Sequence, residues 1–418
     1  MHKYTEKNII EKGAKNSKLQ IVTEDKKPKE VTTVFHKVEE YLNEHYLFRF
    51  NTLALDVESR SVNVEGEWKS CNENSLWVDI QKKGIKIGQS GLKAILKSEF
   101  VPQYNPLQHY FDNLPKWDCQ TDFISQYAKY VKLASSEDKN QYLYHFKKWC
   151  VRTVKCALIE GYFNKQAFVL TDDGKGQNIG KSTWCRNLCP PSLSKYIAED
   201  ISNNDKDTRI LICKNFLINM DELAALSKKE INQLKSLFSK DQINDRLPYD
   251  SKNTIIPRVA SFIGSTNMST FLHDETGSVR WLCFVIESID WNYKSSFNMD
   301  MLWSQAFSLS KDKNFIAELT REDIIENERR NDKFQFLTPE RESLNAYFEP
   351  SNDSEGTFLT ATQITTYLKS HTGINLNNIQ IGKALKACGY NRTKPKANTA
   401  PKLVSKDAWG YYVKYKPI

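Results

Sequence analysis

One stretch constrains the fold of this chain more than any other: Ala167-Phe-Val-Leu170, then Thr171-Asp-Asp-Gly-Lys-Gly-Gln-Asn-Ile-Gly-Lys-Ser-Thr183, then the helical pattern Trp184 to Leu188. A short apolar run bounded by turn residues reads as a buried strand, and strand, glycine-rich turn, Gly-Lys-Ser and helix stand in the order of a P-loop. The residue types reflect the chemistry of phosphate. Glycines let backbone N–H groups close around oxygens, and the helix start adds partial positive charge. Lys181 reaches the β- and γ-phosphates of ATP, and Ser182 meets Mg²⁺. The first glycine of the motif would fall at Lys175, with Gly174 and Gly176 on either side, so the loop's entry is either shifted or rebuilt by a residue.

A lone Gly-Lys-Ser is weak, so the reading rests on two further segments downstream. Asn215-Phe-Leu-Ile-Asn-Met220 is strand-like and ends in Asp221-Glu222. That is the acidic pair of a Walker B site, Asp221 holding Mg²⁺ through water and Glu222 polarising the attacking water; as plain helix-capping carboxylates they would also be at home. Ser261-Phe-Ile-Gly264 then delivers Ser265-Thr-Asn267 to the carboxyl edge of the same sheet, where open α/β folds bind ligands. Asn267 there suits a sensor orienting the lytic water between the two Walker elements. Arg280 precedes the apolar Trp281 to Ile286, and two roles are open to it: a finger toward a neighbouring subunit's γ-phosphate, or a surface ion pair.

The surrounding pattern frames that core. Short apolar runs at Ala167–Leu170, Ile210–Cys213, Phe216–Met220, Val259–Ile263 and Trp281–Ile286 alternate with helical stretches, the mark of a parallel sheet with crossover helices at about 161–290. Before it, residues 1–32 read as a solvated tail rich in Lys and Glu. A mixed, then helical, region at 33–160 suits a collar or oligomerisation role. Residues 291–350 read as a helical connector. Of 418 residues, 40% are apolar and 26% charged, and no run is long enough for a membrane span. Nine cysteines without CxxC spacing fit buried, reduced thiols of a cytoplasmic protein rather than a metal site.

The net charge of +8 is unevenly placed, since residues 357–418 hold nine Lys and one Arg against the single Asp407. Such asymmetry suggests a nucleic-acid-binding module. Helix, turn at Gly373, helix and the strand Trp409 to Val413 resemble a winged helix. Lys383, Lys386 and Arg392 are its candidate contacts to duplex DNA phosphates; a basic partner-docking domain is the other reading. In a ring helicase the interval between Glu222 and Asn267 is where a hairpin would offer Lys240, Arg246 and Lys252 to single-stranded DNA; ordinary surface charges, or for Arg246 with Tyr249 a support to the ATP site, are the other readings.

With these elements in order, the chain resembles the virulence-associated E (VapE-like) P-loop ATPases, relatives of superfamily 3 helicases in phages and mobile elements. The resemblance rests on Tyr46-Leu-Phe-Arg-Phe-Asn51, Trp117-Asp118, Gly180-Lys-Ser-Thr183 and Met220-Asp-Glu-Leu223. It also rests on Leu234-Lys-Ser-Leu-Phe-Ser239, Asp245-Arg-Leu-Pro-Tyr249, Gly264-Ser-Thr-Asn267 and Thr276-Gly-Ser-Val-Arg280, over about Val34 to Ile286. Asn178 resembles the superfamily 3 form of the loop. The resemblance implies an α/β P-loop, AAA+-like core working as a homo-oligomeric ring, with a hexamer the expected size. ATP would lie between subunits and single-stranded DNA in the channel, with priming left to a separate primase. The expected activity is an ATP-dependent DNA helicase or translocase serving a mobile element or prophage. The alternative is an ATP-switched DNA-binding initiator that does not unwind. A P-loop kinase would need a phosphoacceptor lid that the sequence lacks.

Overall fold

The computed structural model describes residues 32–64, 66–172, 174, 178–199, 205–221, 223, 228–245, 253–272, 278–395 and 407–417, without the side chains of 205, 206, 228, 229 and 232. Chain contacts divide it into two units, the smaller built from residues up to Phe50 and from Asp56–Pro102. In that unit the helices Val34–His45, Glu73–Lys82 and Gln89–Leu96 bury Val38, Leu42, Leu76, Ile80, Leu92 and Ile95 in a core of their own. The i, i+4 spacing of Val38 with Leu42 and of Leu76 with Ile80 sets one apolar stripe on each helix. Arg49 and Arg60 both lie over the Trp68 ring, at 4.3 and 4.9 Å from its centroid.

The larger unit is organised by a six-stranded sheet: β1 Val131–Leu133, β2 Ala167–Thr171, β3 Ile197–Glu199, β4 Leu217–Met220, β5 Ser261–Thr266 and β6 Trp281–Ile289. The spatial order is β1-β6-β2-β5-β4-β3, parallel throughout except for β1, which pairs antiparallel with β6 at one edge. Strand β5 therefore lies between β2 and β4. Strands buried on both faces read as continuous apolar runs, and their alternation here divides them between two cores. Phe168, Leu170, Leu217, Ile263, Leu282 and Phe284 enter one; Ala167, Val169, Ile218, Phe262, Trp281 and Cys283 enter the other.

On the first face lies α1 (Lys139–Leu158), capped by the Asp138 carboxylate. Tyr142, Phe146 and Trp149 of α1 meet Phe168, Trp184 and Phe284 at ring-centroid distances of 5.1 to 6.0 Å. The sequence pattern assigns this helix to the region before the sheet; in the structure its apolar face shares the sheet's core. The run Ile210–Cys213, expected as a strand, lies instead in the helix α2 (Asp205–Lys214). Four apolar residues fit a buried helical turn as well as a strand, and the strand of that stretch begins at Leu217.

After α2 and β4 come α3 (Lys228–Phe238) and an antiparallel hairpin, Gln242–Asp245 with Thr254–Pro257. Arg258 anchors this region from full burial. Its Nε donates to Ala260 O at 2.9 Å, its Nη1 to Leu237 O and Phe238 O at 3.0 and 3.1 Å, and its Nη2 to Asn164 O at 2.8 Å. The guanidinium thus satisfies the last carbonyls of α3, at the negative end of the helix dipole.

Past the sheet, helices Met299–Lys311 and Arg321–Asn331 cover the core. Beyond them Leu344, Phe348, Ile364, Leu368, Ile381, Leu385 and Val413 pack together in a further cluster. It holds the helices Ala361–Thr372 and Asn378–Ala387, with the αL residue Gly373 (φ 67°) ending the first. A three-stranded antiparallel sheet has Tyr411–Tyr415 between Phe348–Pro350 and Thr357–Leu359. No helix among the described residues is long and apolar enough to cross a membrane.

Candidate functional site

The carboxyl ends of β2, β4 and β5 bring three polar segments together. Strand β2 ends at Thr171, and the loop returns through Asn178 (φ 61°) and Gly180 (φ 90°) into the helix α4 (Lys181–Asn187). Gly180 is required twice. Its φ belongs to the left-handed region, and a Cβ there would stand 2.4 and 2.6 Å from Cζ2 and Cη2 of Trp291. The helix is held from behind by Trp184, stacked on Tyr127 at 4.9 Å, with the Tyr127 hydroxyl donating to Trp184 O at 3.0 Å.

Lys181 turns back under the loop. Its Nζ donates to Asp172 Oδ2 at 2.6 Å and to Asn267 Oδ1 at 2.7 Å, in a nearly fully buried ion pair. Asp172 also accepts from Gly174 N at 3.1 Å. Beside this pair, Ser182 Oγ donates to Asp221 Oδ1 at 2.6 Å, and Ser265 Oγ donates to the same oxygen at 2.7 Å. Ser265 lies in β5 and Asn267 just past its end at Thr266. The strand and its exit thus meet both the lysine and the serine of the loop. Asn219 donates to Glu199 Oε2 at 2.8 Å, and Arg186 Nε to Glu199 Oε1 at 2.6 Å, tying α4 to β3 and β4.

These residues line a cavity of about 340 Å³, walled by Asn178 to Thr183, Asp221, Ser265 to Asn267 and Trp291. An ammonium group, hydroxyls and the first N–H groups of a helix facing one hollow are complementary to a phosphate-bearing anion. The hydroxyl of Ser182 beside the carboxylate of Asp221 offers hard oxygen donors. A cation such as Mg²⁺ needs only one or two protein ligands of this kind when phosphates and water supply the rest. Among the described residues no group of three or more His, Cys, Asp or Glu forms a metal cage.

Of the residues singled out in the sequence, the structure brings together Asn178, Gly180, Lys181, Ser182, Thr183, Asp221 and Asn267. Gly176, Glu222, Arg246 and Lys252 lie outside the described residues. Arg280 is not in the cavity. It precedes β6 at the amino edge of the sheet, where its carbonyl accepts from Ala167 N and its Nη2 donates to Ser239 Oγ at 3.4 Å. Lys240 stands at the same edge, between α3 and the hairpin, whose tip is outside the described residues. Lys383 and Lys386 are exposed on Asn378–Ala387. Arg392 lies over the half-exposed ring of Trp409, 5.3 Å from its centroid, with Lys394 at 5.7 Å.

Three contributors escape the sequence reading. Asp172 carries a signal, as an acidic residue directly at the end of the P-loop strand. Ser265 carries one in standing two residues before Asn267. Trp291 carries none, because a tryptophan after a strand is ordinarily core.

A doubly covered, largely parallel sheet with a lysine, serine and aspartate gathered at its carboxyl edge defines a mixed α/β domain with a polar cavity at that edge. The chain belongs to the virulence-associated protein E-like domain family, whose model matches residues 111–336, more than half of the chain. The motifs in the sequence place the resemblance at about Val34 to Ile286; the matched span starts later and runs on through the helices after β6. Among solved structures, the apo NrS-1 C-terminal region (305–718) is similar at 11% identity and a TM-score of 0.48, covering 92% of this chain and 99% of that one. The A form of the apo region is similar at 10% identity and a TM-score of 0.45, covering 92% and 100%. No curated protein matches the chain.

Proposed function

We propose that this chain is an ATP hydrolase with an AAA+-like P-loop core, acting as a DNA helicase or translocase in the replication of a phage or other mobile element. The observation that carries the reading is the convergence of Lys181, Ser182, Asp221 and Asn267 on one cavity at the carboxyl edge of a parallel sheet. In this reading Lys181 leaves Asp172 to meet the β- and γ-phosphates. Ser182 and Asp221 hold Mg²⁺, which supplies neutralisation of phosphate charge, and Asn267 orients the attacking water. Glu222, next in sequence to Asp221, polarises that water.

The amino edge supports a ring. Arg280 and the base of the hairpin lie together there, away from the chain's own cavity, where a neighbouring copy's nucleotide would be within reach of the one and DNA within reach of the other. Single-stranded DNA in the channel, a hexameric assembly and a separate primase belong to the same proposal. The C-terminal cluster acts in it as a winged-helix-like module that lays Asn378–Ala387 against duplex DNA, through phosphate contacts by Lys383, Lys386 and Arg392.

Steady-state ATP hydrolysis with and without single-stranded DNA, on the wild type and on Lys181→Ala, tests the reading. DNA-stimulated turnover that disappears in the variant supports a motor. Hydrolysis no higher than the variant's, with binding to duplex DNA retained, would replace the motor by an ATP-switched DNA-binding initiator.

A further inference from the structure

Trp291 is out of character with its surroundings. Among the described residues the cavity wall is otherwise almost entirely polar or backbone: Lys181, Ser182, Asp221, Ser265 and Asn267 dominate it, with Ile179 the one other large apolar side chain. Into that wall the chain places an indole that is 45% exposed, although the same unit buries Trp149, Trp184, Trp281 and Trp303 almost completely. The ring is not loose. Its six-membered edge lies against the backbone of Gly180, so closely that no Cβ fits between them. Tyr293 stacks beside it at 6.3 Å with the planes 22° apart, Lys294 Nζ lies over the ring at 4.4 Å from its centroid, and the turn closes through Lys294 N to Trp291 O at 3.2 Å.

A cavity whose floor suits a polyanion and whose rim carries one fixed, flat apolar surface is complementary to a ligand with the same two ends. A bare polyphosphate would have no use for the indole, and an aromatic ligand without phosphates would have none for Lys181. We propose that Trp291 is the base platform of the site: its indole stacks on the nucleobase of a nucleoside di- or triphosphate whose phosphates lie along Gly180 to Thr183. This rests on the phosphate-binding reading above and adds to it the end of the ligand that no P-loop residue contacts. Because every base has a π-face, the platform prefers purines by stacking strength alone and makes no choice between adenine and guanine.

The test is calorimetric binding of ADP and of inorganic tripolyphosphate, each with MgCl₂, to the full chain as wild type, Trp291→Ala, Trp291→Phe and Lys181→Ala. Trp291→Ala should weaken ADP on the order of tenfold, at the scale of one lost base stack, and leave tripolyphosphate unchanged. Trp291→Phe should recover most of the loss, and Lys181→Ala should weaken both ligands. Equal weakening of the two ligands in Trp291→Ala would mean that the indole only shapes the loop, and an unchanged ADP affinity would mean that no base meets it; either overturns the platform and leaves the phosphate site standing. A wild type that binds neither ligand would overturn both.

Discussion

Asp172 does what a phosphate would do in its place: it offers an oxygen to the ammonium of Lys181. Two opposite charges out of water are tolerable only together, and removing one partner of a buried pair costs about 3 to 5 kcal/mol. We therefore expect Asp172→Ala and Lys181→Ala each to lower stability by about 3 kcal/mol, and the double variant to cost clearly less than the two combined. Urea unfolding of all four proteins measures this, and strictly additive losses would mean that the pair is not formed. Gly180→Ala is a second case at this scale. A side chain at that φ costs about 1 to 2 kcal/mol, and the new methyl also has to displace Trp291. The expected outcome is a lower melting temperature together with lost ADP binding, where a variant at Gly389, whose φ is also positive but which has open space for a Cβ, shows only the first.

At the scale of elements, α1 carries an unusual passenger. His145 is fully buried beside Tyr144 and Phe284, and neither ring nitrogen has a hydrogen-bond partner among the described residues. Burial, with the nearby Arg330 guanidinium, pushes its pKa down to about 3. The unfolded chain takes up this proton near pH 6.5 and the folded chain resists it, so stability is full above about pH 6.5 and falls as the pH drops toward 3. The loss from this group at pH 5 is about 2 kcal/mol. In His145→Leu that share of the acid sensitivity should vanish, as seen by comparing melting temperatures at about pH 7.5 and pH 5; an unchanged pH dependence would assign it to other groups. Elements also show how far sequence reaches. Strands β2, β4, β5 and β6 are legible because each is an apolar run next to a chemically marked residue. Ile210–Cys213 is not, because a run that short carries no period. Strand β1, only three residues long, is defined by its pairing with β6 rather than by its own pattern. Asp172 and Trp291 matter through their distance to Lys181 and Gly180, and distance across a sheet is not written in spacing along a chain.

For the whole molecule, the uneven charge has a structural counterpart. The residues after the family match, from Leu344 onward, form their own apolar cluster, and the basic excess sits in that part of the chain. A chain ending at Leu337 should therefore keep its cooperative unfolding transition while losing about tenfold or more in affinity for duplex DNA. In the full chain, Lys383→Glu with Lys386→Glu should weaken duplex binding and flatten its dependence on salt, because fewer counterions are released. Fluorescence anisotropy of a labelled duplex at two salt concentrations reads both effects, and an unaltered slope would move DNA contact away from Asn378–Ala387.

Strand β5 separates the strands that lead to Lys181 and Asp221, yet Ser265, and Asn267 just past its end, touch both residues. Evolution can therefore treat chain length very differently from place to place. A loop between elements can gain or lose residues without moving a single pairing in the sheet. A one-residue insertion inside Ser261–Thr266 would exchange the two faces downstream of it, sending Ser265 toward the core that now holds Phe262. Relatives of this chain should keep the length of that strand, and of the buried strands beside it, while their loops vary.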